Sequence, residues 1–385
     1  MLHFSRETIK GVKKLNAVKK ENIESAKFMR VVAMLLVVLI HATGVGVTQL
    51  TNENPSYFLY LLLNRFTRFE GAVFVFLSGM LLFYNYASKP YTLQTWKHFY
   101  KKRFLYILAP FIVWSIFYEW YALYIGTRTF DGFGPILERI VTGDSFYQLY
   151  FIFILAQLYF LLPLFVYFIK KYTFVAKHLL LIGFVIELAS QVLIKHYAIA
   201  LPVHLFFSYI ASFLFGGWIA LHYDRFKQEW SKRKLTGAFL LMIVLGLLYT
   251  AGYYYRNIIG IDIPYLPFKA LAISYYLFAS FVLFKAGISL HNYSSPRVLN
   301  WTERLRLYSF GFYLVHPFIL NIWKDILVAQ NEWQFHAFIF LRYIAVCICC
   351  YVFIRILHGL FPKAWFLFGK LPHPSTVKTK YLEGR

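Results

Sequence analysis

Ten apolar runs, each about as long as a hydrocarbon layer is thick, leave this chain little choice of fold. A layer roughly 30 Å deep takes about 20 residues of helix at 1.5 Å per residue. Runs of that kind are expected over 28–47, 71–87, 104–125, 146–169, 176–194, 204–222, 236–253, 268–287, 305–323 and 335–357. In lipid each backbone N–H and C=O has to be satisfied within the segment, and helices do this. The expected fold is therefore all-α, a polytopic transmembrane bundle of about ten helices. The ninth run is the least apolar, because Ser309, Gly311, His316 and Pro317 interrupt it. Residues 27–360 form one membrane domain, between a basic segment over 1–26 and a basic tail over 361–385.

Charge sets the orientation. Of 40 Lys and Arg, 31 fall in the connections that share a side with the N-terminus; 8 fall on the other side and Arg342 lies inside the last run. Cytoplasmic connections carry the excess of Lys and Arg, so both termini are expected in the cytoplasm of a plasma-membrane protein. The net charge of +23 is thus accounted for by a membrane surface, not by nucleic acid. The first run follows a long Lys-rich leader and has no small-residue cleavage site, so it is read as a retained helix and not a signal peptide. Within the leader, Ile9, Val12, Leu15 and Val18 alternate with lysines as in a helix lying on the inner surface. The three cysteines, Cys347, Cys349 and Cys350, share one apolar run and read as small packing residues.

Ionisable groups deep in a span are costly and mark function. Arg30 and His41 are eleven residues apart, close to three helical turns, so they share one helix face roughly 16 Å apart along the axis. That aligns a phosphate-binding cation at the inner edge with an imidazole past mid-depth. Ser78, in Phe-Leu-Ser-Gly, comes to a similar depth from the opposite end of the second run, at a place where small residues also permit close helix packing. His316 again falls about 16 Å up its run, level with His41. Lys101, Lys102 and Arg103 form a basic cluster at the inner start of the third run, and Glu119 and Glu187 lie deep in the third and fifth, where they either line an outward-opening cavity or make buried structural pairs. No third His, Cys or carboxylate arrives at ligand spacing, so no metal is expected. Phosphate loops, Gly-x-Ser-x-Gly elbows and His-Glu-x-x-His are absent from the sequence.

In order along the chain, Arg30-x10-His41, Phe76-Leu77-Ser78-Gly79-Met80, Arg103…Ile107…Pro110, Leu158-Tyr159…Leu162-Pro163 and Tyr313-Leu314-Val315-His316-Pro317 resemble the motifs of the integral-membrane acyltransferase type 3 family. The likeness is to its polysaccharide O-acyltransferases, of the intercellular-adhesin O-succinyltransferase type. Where the family places a second arginine in its third motif, this chain has Tyr106. The resemblance implies transfer of an acetyl or similar group from cytoplasmic acyl-CoA, such as acetyl-CoA or succinyl-CoA, to a hydroxyl of an extracytoplasmic glycan. It implies His41 as catalytic residue, with Ser78 and His316 beside it. Arg30, Lys101, Lys102, Arg103 and Tyr106 then hold the donor, and Glu119, Glu187 and Tyr313 meet the glycan. The competing class is an exporter of a polysaccharide or lipid-linked sugar. Transporters of that kind often carry inverted or parallel repeats, and this sequence has none.

Overall fold

The computed structural model describes residues 22–199 and 203–372, and the leader stripe of Ile9, Val12, Leu15 and Val18 and the tail from 373 lie outside the described residues. Every regular element among the described residues is helical. The principal helices are α1 (Ser25–Gln49), α2 (Pro55–Phe66), α3 (Glu70–Tyr86), α4 (Leu93–Arg103), α5 (Ala109–Tyr124), α6 (Phe133–Thr142), α7 (Tyr150–Lys171), α8 (Leu179–His196), α9 (Ile210–Leu221), α10 (Lys232–Tyr254), α11 (Tyr265–Tyr293), α12 (Pro296–Ile326) and α13 (Glu332–Leu360). The protein is a helical membrane bundle. Among the described residues eight helical runs are long and apolar enough to cross a membrane: Ser25–Gln49, Pro55–Tyr86, Leu93–Tyr124, Tyr150–Lys171, Leu179–His196, Lys232–Ile259, Tyr265–Tyr293 and Glu332–Leu360. The other two expected runs fall on α9 and α12. α9 is apolar but only 12 residues long, and α12 carries Arg297, Glu303, Arg304 and Arg306 in its first half.

Three helices were not anticipated. α2, α4 and α6 occupy stretches read as connections, because each is shorter than a span. α6 leaves Phe133, Leu137 and Val141 exposed at i, i+4 and i+8, the single apolar stripe of an interfacial helix.

The chain divides into two compact units. One comprises the described parts of Met1–Ala33, Arg65–His98 and Gln157–Tyr293; the other comprises Met34–Asn64, Phe99–Ala156 and the described part of Ser294–Arg385. In the first unit α3 and α9 touch backbone to backbone. A Cβ on Gly79 would sit 2.0 Å from the Phe213 carbonyl oxygen, and one on Gly216 would sit 2.1 Å from that of Phe76. Small residues thus let two helices close where the apolar effect offers no preference for protein over lipid.

In the second unit α12 packs along α13, and Gly311 meets Ile354. Residues 361–372 fold back onto α5 instead of leaving the domain as a tail: Trp114 donates its indole N–H to the Leu367 carbonyl at 2.8 Å, and Phe368 is buried. Pro110 has no N–H to offer the Tyr106 carbonyl, and a π-turn over Phe104–Leu108 accommodates the change of register. Gly369, at φ +75°, approaches that same carbonyl, and a Cβ there would come within 2.7 Å of it.

Candidate active site

His41, His316 and Tyr147 come together within the second unit. The His41 ring lies 5.2 Å from that of His316 and 4.8 Å from that of Tyr147, centroid to centroid. α1 brings His41, α12 brings His316, and the connection between α6 and α7 brings Tyr147.

Local sequence explains how His316 is held. Its Nδ1 lies 3.0 Å from the Phe312 carbonyl oxygen one turn earlier. A carbonyl only accepts, so the tautomer assigned from this partner carries its proton on Nδ1 and its lone pair on Nε2. Pro317 follows and supplies no N–H to the Tyr313 carbonyl, which loosens the helix turn at this point. His316 is wholly buried, and its Nε2 has no hydrogen-bond partner among the described residues. A buried, unsatisfied lone pair costs stability and is kept only where it serves something else.

Tyr313, three residues before His316, stands 6.1 Å from its ring and donates its hydroxyl to the Gln148 carbonyl. Tyr118 of α5 donates to the Leu314 carbonyl at 2.7 Å and stacks on Phe146 at 4.5 Å. Phe146 in turn lies 4.9 Å from Tyr147. The 146–148 segment is thereby clamped on both sides, with Tyr147 left 44% exposed. An imidazole pair beside a partly exposed aromatic ring suits a group-transfer site.

Glu119 takes the structural pairing that stood open beside a place in an outward-opening cavity. It is buried and fully engaged: Arg128 Nη1 donates to it at 2.9 Å, and Arg139 donates through Nε at 3.0 Å and Nη2 at 2.9 Å. Arg128 also donates to the Asp144 and Ser145 carbonyls at 2.7 and 3.0 Å. Arg139 also pairs with Asp131 at 2.6 Å. Glu119 therefore ties α6 and the loop carrying Tyr147 to α5.

The remaining expected residues divide between the units. Ser78, half-buried, and Glu187 belong to the first unit, where Glu187 accepts the Ala211 N–H at 2.9 Å across the α8–α9 contact. Arg30 also belongs there, on the continuous α1 that carries His41, so their eleven-residue register is kept. Lys101 and Lys102 are exposed at the end of α4, the Arg103 guanidinium lies 5.3 Å over the Phe99 ring, and Tyr106 meets Trp365 edge-on at 5.9 Å.

Tyr147, Tyr118 and Gln148 escaped the sequence reading. In a chain with 31 tyrosines and 42 phenylalanines, one more aromatic at the start of a span carries no signal.

A family model described as an acyltransferase domain matches residues 23–355. The chain belongs to the integral-membrane acyltransferase family. The matched stretch contains both imidazoles and the whole clamp around Tyr147. Among curated proteins this acyltransferase is similar to a probable poly-beta-1,6-N-acetyl-D-glucosamine export protein of Staphylococcus aureus (strain MSSA476), at 22% identity over 93% of this chain and 99% of the relative. A protein of the same name from Staphylococcus epidermidis is 24% identical over 92% of this chain and 96% of its own length. No solved structure matches the chain.

Proposed function

We propose that this membrane acyltransferase moves an acetyl or succinyl group from cytoplasmic acyl-CoA to a hydroxyl of an extracytoplasmic glycan, with His41 as the catalytic residue and His316 beside it. The observation that carries the reading is the pairing of the two imidazoles, one holding a buried lone pair without a partner. In the reaction the hydroxyl oxygen forms an ester bond to the acyl carbon, the C–S bond breaks, and the hydroxyl proton passes to imidazole. CoA leaves as the thiolate and takes that proton back. A variant of the scheme first forms an acyl-imidazole on His41, which then gives the group to the sugar.

The glycan named for the curated relatives, poly-beta-1,6-N-acetyl-D-glucosamine, is the first acceptor to try. Tyr147 supplies an accessible aromatic face for a sugar ring; Tyr313 and Glu187 are assigned to the acceptor, and Ser78 to the transfer step. The donor's phosphates are assigned to Arg30, Lys101, Lys102 and Arg103, with Tyr106 alongside, since guanidinium and ammonium groups suit phosphate oxygens. Arg30→Ala and Arg103→Ala should each weaken CoA binding about tenfold, the loss of one charge-assisted phosphate contact. Calorimetry on purified protein giving wild-type affinity for both variants would remove the donor site.

Orientation belongs to the same proposal. Both termini face the cytoplasm, so a reporter fused to either end should be active only there, and activity outside would reverse the direction of transfer.

Export is the second reading, favoured by the printed name of the curated relatives. One experiment separates the two. Purified protein is given radiolabelled acetyl-CoA or succinyl-CoA together with the glycan: label in the glycan supports transfer, whereas glycan crossing a vesicle membrane without label supports export.

A further inference from the structure

A second, separate site lies in the first unit, where three cations converge on one tyrosine. Lys195 ends α8, Arg256 sits in the π-turn that closes α10, and Lys269 follows Tyr265 by one turn of α11. The Lys195 Nζ is 4.4 Å from the centre of the Tyr265 ring, the Lys269 Nζ is 5.5 Å away and the Arg256 guanidinium carbon is 5.7 Å away. Like charges so close repel, and the quadrupole of one ring offsets this only in part.

Carboxylates do not make up the difference. Glu187 attracts Lys269, but one carboxylate offsets at most one of the three charges. Asp262 is exposed in the loop before Tyr265. None of the three cations forms an ion pair among the described residues. They also belong to the connections that hold only 8 of the 40 Lys and Arg, so the positive-inside bias does not account for them. Around them Tyr197, Ile199, Ile259, Ile261 and Leu266 are exposed apolar side chains, a surface suited to acyl chains.

We infer that Lys195, Arg256 and Lys269 bind the phosphate of an anionic phospholipid headgroup at the extracytoplasmic end of α8, α10 and α11. The phosphodiester oxygens take up the uncompensated charge, Arg256 offers them a bidentate fork, and the lipid's chains lie on Ile259 and Leu266. This site is independent of the transfer chemistry proposed above and its test does not use acyl transfer.

The full chain is purified in detergent with equal amounts of phosphatidylglycerol and phosphatidylcholine, and bound lipid is read by native mass spectrometry. The wild-type protein should retain phosphatidylglycerol in preference. Each cation near a membrane phosphate contributes about a factor of five, so K195Q/R256Q/K269Q should lower that preference roughly a hundredfold. Should the triple variant fail to fold, Lys195→Gln alone, at an exposed position, carries the test with a fall of about fivefold. R225Q/R233Q/K234Q, which removes three exposed cations elsewhere in the same unit, should keep the wild-type preference. An unchanged preference in the cluster variants overturns the inference, and so does an equal loss in the control, which would make net charge the cause. Displacement of the lipid by inorganic phosphate at the lipid's own concentration would show a site for free phosphate instead.

Discussion

His41→Ala should lower acyl transfer by about a thousandfold or more while expression and CoA binding stay close to wild type. Attack of a sugar hydroxyl on a thioester requires the hydroxyl proton to leave as the C–O bond forms, and a positioned base typically contributes about 10²–10⁴-fold to such a step. His41→Gln keeps a polar side chain of similar size but offers no basic nitrogen, so it should be equally inactive. His316→Gln supplies the comparison. His316 is held through Nδ1 and keeps its lone pair on Nε2 beside the His41 ring, so its loss should also depress transfer. Labelled protein recovered after incubation with labelled acyl-CoA, and lost in His41→Gln, would favour the acyl-imidazole relay over direct base catalysis. Transfer at near wild-type rate by either His41 variant would sink the assignment and leave His316 as the residue to test next.

The second large effect falls on stability. Glu119 is 5% exposed and receives hydrogen bonds from two guanidinium groups. Removing one partner of a buried ion pair leaves charge without compensation, at a cost of about 3 kcal/mol. Glu119→Gln should therefore lower the thermal midpoint by several degrees, and it should also reduce transfer, because Arg128 and Arg139 together anchor the loop that positions Tyr147 over His41. Asp131→Asn is the control. Its exposed carboxyl meets only Arg139 in the network, and an exposed pair adds little. The hydrogen bond from Arg139 holds the Asp131 carboxyl below the usual carboxylate range. That pair's contribution is present above an ordinary carboxylate pKa near 3.9 and is lost as pH falls through the lowered value, so Asp131→Asn should be indistinguishable from wild type in strong acid. A Glu119→Gln protein with wild-type melting and wild-type transfer would contradict this account.

The apolar runs alone made the helices legible, because a span must be both long and apolar to satisfy its backbone within lipid. α2, α4 and α6 were hidden, since at 10 to 12 residues each is too short to satisfy the length by which a span is recognised. The packing of residues 361–372, read from sequence as the start of a basic tail, was hidden for a related reason. Trp365 and Phe368 are too few to register as an element, and only contact with α5 at Trp114 gives Phe368 its buried place. Deep polar residues were visible as candidates, yet their roles were not. Glu119 reads as a cavity residue until Arg128 and Arg139 arrive, one from a turn and one from a helix the sequence does not announce.

The amino-acid sequence by itself determined the all-helical membrane architecture, the family motifs and the positions of His41 and His316 along their helices, since these depend on local apolarity and on a rise of 1.5 Å per residue. Only the tertiary structure decided that the two imidazoles meet, that Tyr147 lies against His41 and that Glu119 is an anchor. Rise along a helix fixes height but not azimuth or neighbour, and those are settled by which helix faces pack together.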